Sequence, residues 1–222
     1  MKGAHVTAIA FDLDGTLIDS RQDLATAVNR TRAEMGLAPM PVASVVRMVG
    51  EGARTLVRRA LGEEVGAEAF EAAFQAFLGH YWEVCLDATR PYSGLAEVLP
   101  RLAARLPLAV LTNKPEALSR RILEGLDLGG CFSAVVGGDT LPTRKPDPQG
   151  LLHLAEQLGA APAEVLLVGD SGIDEATARA AGGPFALAEW GFPTPEERAA
   201  IRADLLVATP GDLETALAPL LH

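Results

Sequence analysis

The sequence predicts an α/β fold, a parallel sheet with helices on both faces that carries an inserted helical domain. Three observations predict it. Short, continuously apolar runs at 6–11, 106–111 and 165–168 have the composition of strands buried on both faces. From residue 94 onward such runs alternate with stretches of helical periodicity, the pattern of repeated βα units joined by right-handed crossovers. Between residues 17 and 89 every patterned stretch is helical instead, so a segment of different architecture interrupts the first connection. The expected division is a core of 1–16 and 90–222 and a helical insert of 17–89.

Taken in order, the run 6–11 leads into Asp12-Leu13-Asp14-Gly15-Thr16. Residues two apart in a regular strand share a side, but Gly15 marks a turn, so one aspartate is expected to face the crevice and the other to offer its backbone carbonyl. Two carboxylates this close repel unless a cation lies between them or a proton is shared. The pair is therefore a hard-cation candidate, with a solvated Asp-Gly turn as the ordinary alternative. A helix is expected over 20–35, with Ser20 and Asp23 as a capping-box-like start. Gly36, Pro39 and Pro41 end it. Val42, Val45, Val46 and Val49 form a second helical stripe, and Leu56, Val57, Ala60 and Leu61 a third after Gly50-Glu51-Gly52. Over 67–86, Phe70, Phe74, Phe77, Tyr81, Val84 and Cys85 keep helical spacing and read as a bundle core. Pro91 and Gly94 mark the return. Helices are then expected at 95–105, 117–126, 148–158 and 174–181, and strands at 106–111, 134–136, 165–168, 185–188 and 205–208.

Composition limits the partners. A formal charge of −10 over 222 residues argues against nucleic acid and anionic membranes, and an anionic substrate would need local positive groups. Arginine outnumbers lysine 16 to 3, which makes Lys114 and Lys145, each just beyond an apolar strand, informative. Cys85 and Cys131 form no zinc or disulfide pattern, and the four histidines lack ligand spacing. No apolar run reaches membrane-spanning length and no signal peptide is visible. A soluble, cytoplasmic protein, monomer or homodimer, is expected.

In open α/β sheets ligands bind beyond the carboxyl ends of the strands. Asp12 and Asp14, Thr112, and Asp170 all fall there, with Lys145 and Asp174 on the adjoining loop and helix start. Each alone has an ordinary explanation, as a helix cap, a solvated lysine or an acidic first turn. Together they describe a phosphoryl-transfer site. Three carboxylates suit Mg2+, Thr112 supplies a hydroxyl donor, and Lys145 brings a full charge to phosphate oxygens.

At this point the chain resembles the haloacid dehalogenase superfamily over nearly its whole length, with a Rossmann-like core and an α-helical cap as the insert. The motifs are Asp12-Leu13-Asp14-Gly15-Thr16, Leu111-Thr112-Asn113-Lys114, Lys145-Pro146-Asp147-Pro148 and Gly169-Asp170-Ser171-Gly172-Ile173-Asp174. The resemblance implies that Asp12 attacks phosphorus to give an aspartyl-phosphate, with Asp14 as acid and then base. It implies Mg2+ on the Asp12 carboxylate, the Asp14 carbonyl and Asp170, with Asp174 ordering the shell, and a phosphoryl group held by Thr112, Asn113 and Lys145. Because family dehalogenases lack an acid at the Asp14 place, phosphate esters are favoured. Within the superfamily the chain is similar to phosphoglycolate phosphatases through residues 11–20, 49–61, 110–115 and 135–169. That likeness makes Gly50, Gly52 and Arg54 a substrate-facing cap loop, with Arg54 either meeting a substrate carboxylate or standing as an exposed helix-start arginine. Phosphate-monoester hydrolysis is so slow unaided that its site must largely exclude bulk water, so the helices of 17–89 are expected to close over Asp12 when substrate binds, hinging near 16–19 and 88–94. A phosphosugar mutase of the β-phosphoglucomutase type is the nearest rival. A receiver-like signalling module and a non-catalytic relative come behind it.

Overall fold

The computed structural model describes residues 5–220. The chain runs β1 (Ala8–Phe11), β2 (Ile18–Asp19), α1 (Arg21–Glu34), α2 (Val42–Val46), α3 (Ala53–Leu61), α4 (Ala67–Val84), β3 (Arg90–Pro91), α5 (Leu95–Ala103) and β4 (Leu108–Leu111). It continues through α6 (Glu116–Gly125), β5 (Ala134–Val136), α7 (Gln149–Leu158), β6 (Val165–Gly169), α8 (Gly172–Ala181), β7 (Phe185–Ala188), α9 (Pro195–Ala200), β8 (Leu205–Val207) and α10 (Leu213–Leu217). One compact unit comprises the chain up to Asp19 and from Pro91 onward; the other is Ser20–Arg90. These junctions differ from the expected 16/17 and 89/90 because Leu17 and Ile18 are fully buried, and the Leu17 carbonyl accepts a hydrogen bond from Tyr92 N in the core unit.

Six strands form the core sheet in the order β5-β4-β1-β6-β7-β8, every neighbouring pair parallel. All residues of β1, β4, β6 and β7 are buried, which is why these runs contain no polar alternation. Counted within the core alone, the order reverses between β1 and β6, and the crevice of such a sheet opens at that reversal. Phe11 pairs with Val168, and Asp12 N donates to the Val168 carbonyl at 2.9 Å, so β1 and β6 end level.

In the helical unit α1 packs chiefly on α4, whose buried face is Phe70, Ala73, Phe77, Tyr81 and Val84. Phe74 is only half-buried and stacks on Phe70, centroids 6.2 Å apart. One expectation is corrected here. Ser20 makes no side-chain capping bond to α1, and Asp23 is not a surface cap but a buried acceptor. It takes hydrogen bonds from Thr89 N and Thr89 Oγ1 at 2.7 Å each and from Ala88 N at 3.0 Å, tying the start of α1 to the segment after α4. Asp23→Ala would leave these buried donors without their acceptor, and a loss of about 3 kcal/mol is expected. Urea denaturation followed on the full chain checks this; an unchanged first transition would show that the tie contributes nothing.

Candidate active site

The carboxyl ends of β1 and β6 bring together Asp12, Asp170 and, from the first turn of α8, Asp174. One carboxylate oxygen from each lies within 4.8 Å of the others. Lys145, on the loop before α7, is buried against them, its Nζ 2.8 Å from Asp12 Oδ1 and 2.6 Å from Asp174 Oδ1. Asp12 Oδ1 also accepts from Leu13 N at 2.7 Å. Asp174 is held from its other oxygen: Ser171 N and Oγ donate to Oδ2 at 3.1 and 2.6 Å, which is a capping box that fixes the head of α8 as well. Asp170 Oδ2 accepts from Phe192 N at 2.8 Å.

Asp170 is enclosed by backbone. Gly15 has φ +85°, and a Cβ there would land 2.1 Å from Asp170 Oδ2; a Cβ at Gly191 would land 2.2 Å from Asp170 Cβ. Glycine is thus required at both places by the closeness of the carboxylate, and at Gly15 also by the turn.

Burial raises the Asp12 carboxyl to about 6, against the opposing pull of the Lys145 ammonium. Asp170 is pushed well above the ordinary carboxylate range, first by burial and then by the charges of Asp174 and Asp12. Burial would lower the Lys145 ammonium, but Asp12 and Asp174 outweigh it and hold it above its ordinary value. Three carboxylates meet one ammonium, and the cluster remains anionic. An all-oxygen, anionic cradle of this kind fits a hard divalent cation.

The other expected residues divide. Thr112 is buried at the end of β4, its Oγ1 accepting from Lys114 N at 3.2 Å. Asn113 donates Nδ2 to the Lys145 carbonyl at 2.9 Å and so ties the β4 loop to the Lys145 loop. The Asp14 carboxylate is not in the three-aspartate group; Lys114 Nζ lies 2.8 Å from both its oxygens. Gly50, Gly52 and Arg54 lie in the other unit. Gly50 and Gly52 adopt φ 120° and 93°, and Arg54 pairs with Glu71 while lying over the rings of Phe70 and Phe74. Three further partners join the site: Lys114, which the sequence marks as informative without giving it a role, and Ser171 and the backbone of Phe192, which it leaves out. The spacing of Ser171 and Asp174, a capping-box signature, was the legible signal for one of them.

A family model described as haloacid dehalogenase-like hydrolase matches residues 6–182. This chain belongs to that family. The hydrolase is 42% identical over 214 residues to a phosphoglycolate phosphatase of Chromobacterium violaceum, covering 94% of this chain and 95% of the other. It is 47% identical over 193 residues to a phosphoglycolate phosphatase of Rhodospirillum rubrum, covering 83% and 80%. A crystal structure from Haemophilus somnus, described as a predicted phosphoglycolate phosphatase, superposes with a TM-score of 0.90 at 30% identity, covering 95% of this chain and 97% of that one. The six-stranded core and the helical unit are thus those of a known hydrolase architecture. Among the described residues no helix is long and apolar enough to cross a membrane.

Proposed function

We propose that the hydrolase is a Mg2+-dependent phosphatase that cleaves a small phosphate monoester, 2-phosphoglycolate, through an aspartyl-phosphate on Asp12. The observation that carries the reaction class is the Asp12 carboxylate at the β1/β6 crevice, in contact with Lys145 and beside Asp170 and Asp174. The names of the relatives support the substrate.

Asp12, Asp170 and the Asp14 carbonyl would hold the cation, with Asp174 ordering its shell. When bound, Mg2+ supplies positive charge to phosphoryl oxygens and neutralises the carboxylates that would repel a phosphate. Asp12 bonds phosphorus while the bond to the leaving oxygen breaks, and that oxygen takes a proton from Asp14. Asp14, now a carboxylate, accepts a proton from the water whose oxygen displaces Asp12 and releases inorganic phosphate. Lys145 meets the non-bridging oxygens and Thr112 donates its hydroxyl to them. Asn113 holds the Lys145 loop while contributing to the same pocket. Gly50, Gly52 and Arg54 are read as the substrate-facing loop of the helical unit; for Arg54 to bind a substrate carboxylate, that group must replace Glu71.

The test is phosphate release from 2-phosphoglycolate beside sugar phosphates and nucleotides, with Mg2+ and with EDTA. Turnover that favours phosphoglycolate and ceases with EDTA is expected. Preference for another ester would overturn the substrate alone. Transfer of the phosphoryl group back to a sugar, with little free phosphate, would favour a mutase instead.

A further inference from the structure

Lys114 has no role in the steps above, yet its side chain is as buried as that of Lys145, each 3% exposed. In a chain with 16 arginines and 3 lysines, both lysines among the described residues stand at this one sheet edge. Lys114 arrives there from the end of β4, and β4 pairs with β1. Its ammonium lies 2.8 Å from Asp14 Oδ1 and 2.8 Å from Asp14 Oδ2. A donor set against both oxygens restrains the carboxyl group's rotation, which a single hydrogen bond leaves free.

The base of Lys114 is fixed as well. Its N donates to Thr112 Oγ1 at 3.2 Å, and its carbonyl accepts from Gly138 N at 2.8 Å. Gly138 is pressed so closely on this loop that a Cβ there would fall 2.3 Å from the Asn113 carbonyl. The lysine is thus a rigidly mounted support rather than a mobile surface side chain.

We propose that Lys114 is a positioning residue for the reaction, holding the Asp14 carboxyl in the orientation from which it exchanges protons. This rests on the reading of Asp14 as acid and base. In the first half-reaction the Asp12–phosphorus bond forms, the phosphorus–leaving-oxygen bond breaks with its electron pair going to that oxygen, and the Asp14 proton follows. The transfer is over a single hydrogen bond, so its rate depends on where the carboxyl points. An oxygen that leaves as a stable phenolate needs no such proton.

The experiment compares kcat/KM, which covers the steps up to leaving-group departure, for two esters. One is the alkyl phosphate best turned over in the substrate panel; the other is p-nitrophenyl phosphate. Wild type, Asp14→Asn, Lys114→Met and Lys114→Arg are each assayed on both. Lys114→Met is expected to lose about tenfold to a hundredfold more on the alkyl than on the aryl ester, as misplacement of a reacting group does. Lys114→Arg is expected to recover part of that difference. Equal losses on both esters would overturn the inference. Asp14→Asn separates the two failures. If it discriminates between the esters and Lys114→Met does not, the acid–base reading stands and the positioning role falls; if it does not discriminate, both fall. The ratio is taken within one preparation, so partial loss of folded protein cancels, and Lys114→Gln replaces the methionine variant if that one is insoluble.

Discussion

Asp12→Asn is expected to abolish phosphate release, by at least about 10⁴-fold, while leaving the protein as stable as the wild type or more so. The catalytic half of this follows from chemistry. An amide oxygen is a poor nucleophile toward phosphorus, and among the described residues no other carboxylate stands in the same relation to both β1 and Lys145. The stability half follows from the site's electrostatics. Burial raises Asp12 to about 6 from its ordinary 3.8, so at neutral pH the folded protein carries this carboxylate at a net cost. The sign is that of a raised acid. The native state binds the proton more tightly, so stability is greatest below the unfolded value and is lost as pH rises from about 4 through about 6. Asparagine keeps the shape and the acceptor for Leu13 N but removes that charge, and Lys145 retains Asp174. Thermal unfolding without metal should therefore show the variant's advantage growing between pH 4 and 7. A variant that melts well below wild type at pH 7 would show that the charge on Asp12 stabilises the fold, contrary to this account.

The same residues show how far the sequence could be read. Asp12, Thr112 and Asp170 are each the first polar group after an apolar run, and a sheet edge collects such positions whatever its strand order. Their convergence was therefore legible. What brings Asp170 beside Asp12, however, is the placement of β6 next to β1, and a chain of alternating βα units does not state its strand order. Lys114 and Asp14 meet only because β4 flanks β1 on the other side, across 100 positions of sequence. Asp23 was misread for a related reason. Local spacing to Ser20 resembles a cap, while its actual donors lie at Ala88 and Thr89, where no local rule reaches. The short helix α2 is marked by its valines, whereas α9, Pro195–Ala200, buries no residue and so carries no apolar stripe to mark it. The enclosure of Asp170 by Gly191 and Phe192 is likewise tertiary, since the loop after β7 shows only its turn residues.

Lys145→Met should have the opposite character to Asp12→Asn, with stability and activity lost together and only one of them recoverable. Lys145 is a buried ammonium within 2.8 Å of Asp12 and 2.6 Å of Asp174. Methionine fills similar space but leaves the buried carboxylates uncompensated, a loss of about 3–5 kcal/mol at neutral pH. The carboxyls would respond by taking up protons. Lys145 already opposes the burial that raises Asp12, and its removal pushes both Asp12 and Asp170 further up. The deficit relative to wild type should therefore be smallest in acid and grow as pH rises through about 6, where Asp12 ionises. A divalent cation can substitute for the missing charge as a stabiliser, because it binds the folded cluster and not the dispersed carboxylates of the unfolded chain. Mg2+ is thus expected to raise the melting temperature of Lys145→Met more than that of the wild type. Activity should not return with it, since in the proposed mechanism the ammonium also meets the phosphoryl oxygens, a contact methionine cannot make. A variant as stable as wild type at pH 7 without metal would remove Lys145 from its role in neutralising the cluster. Restored turnover in Mg2+ would remove it from phosphoryl binding, and the two results together would move the charge that opposes the phosphate entirely onto the cation.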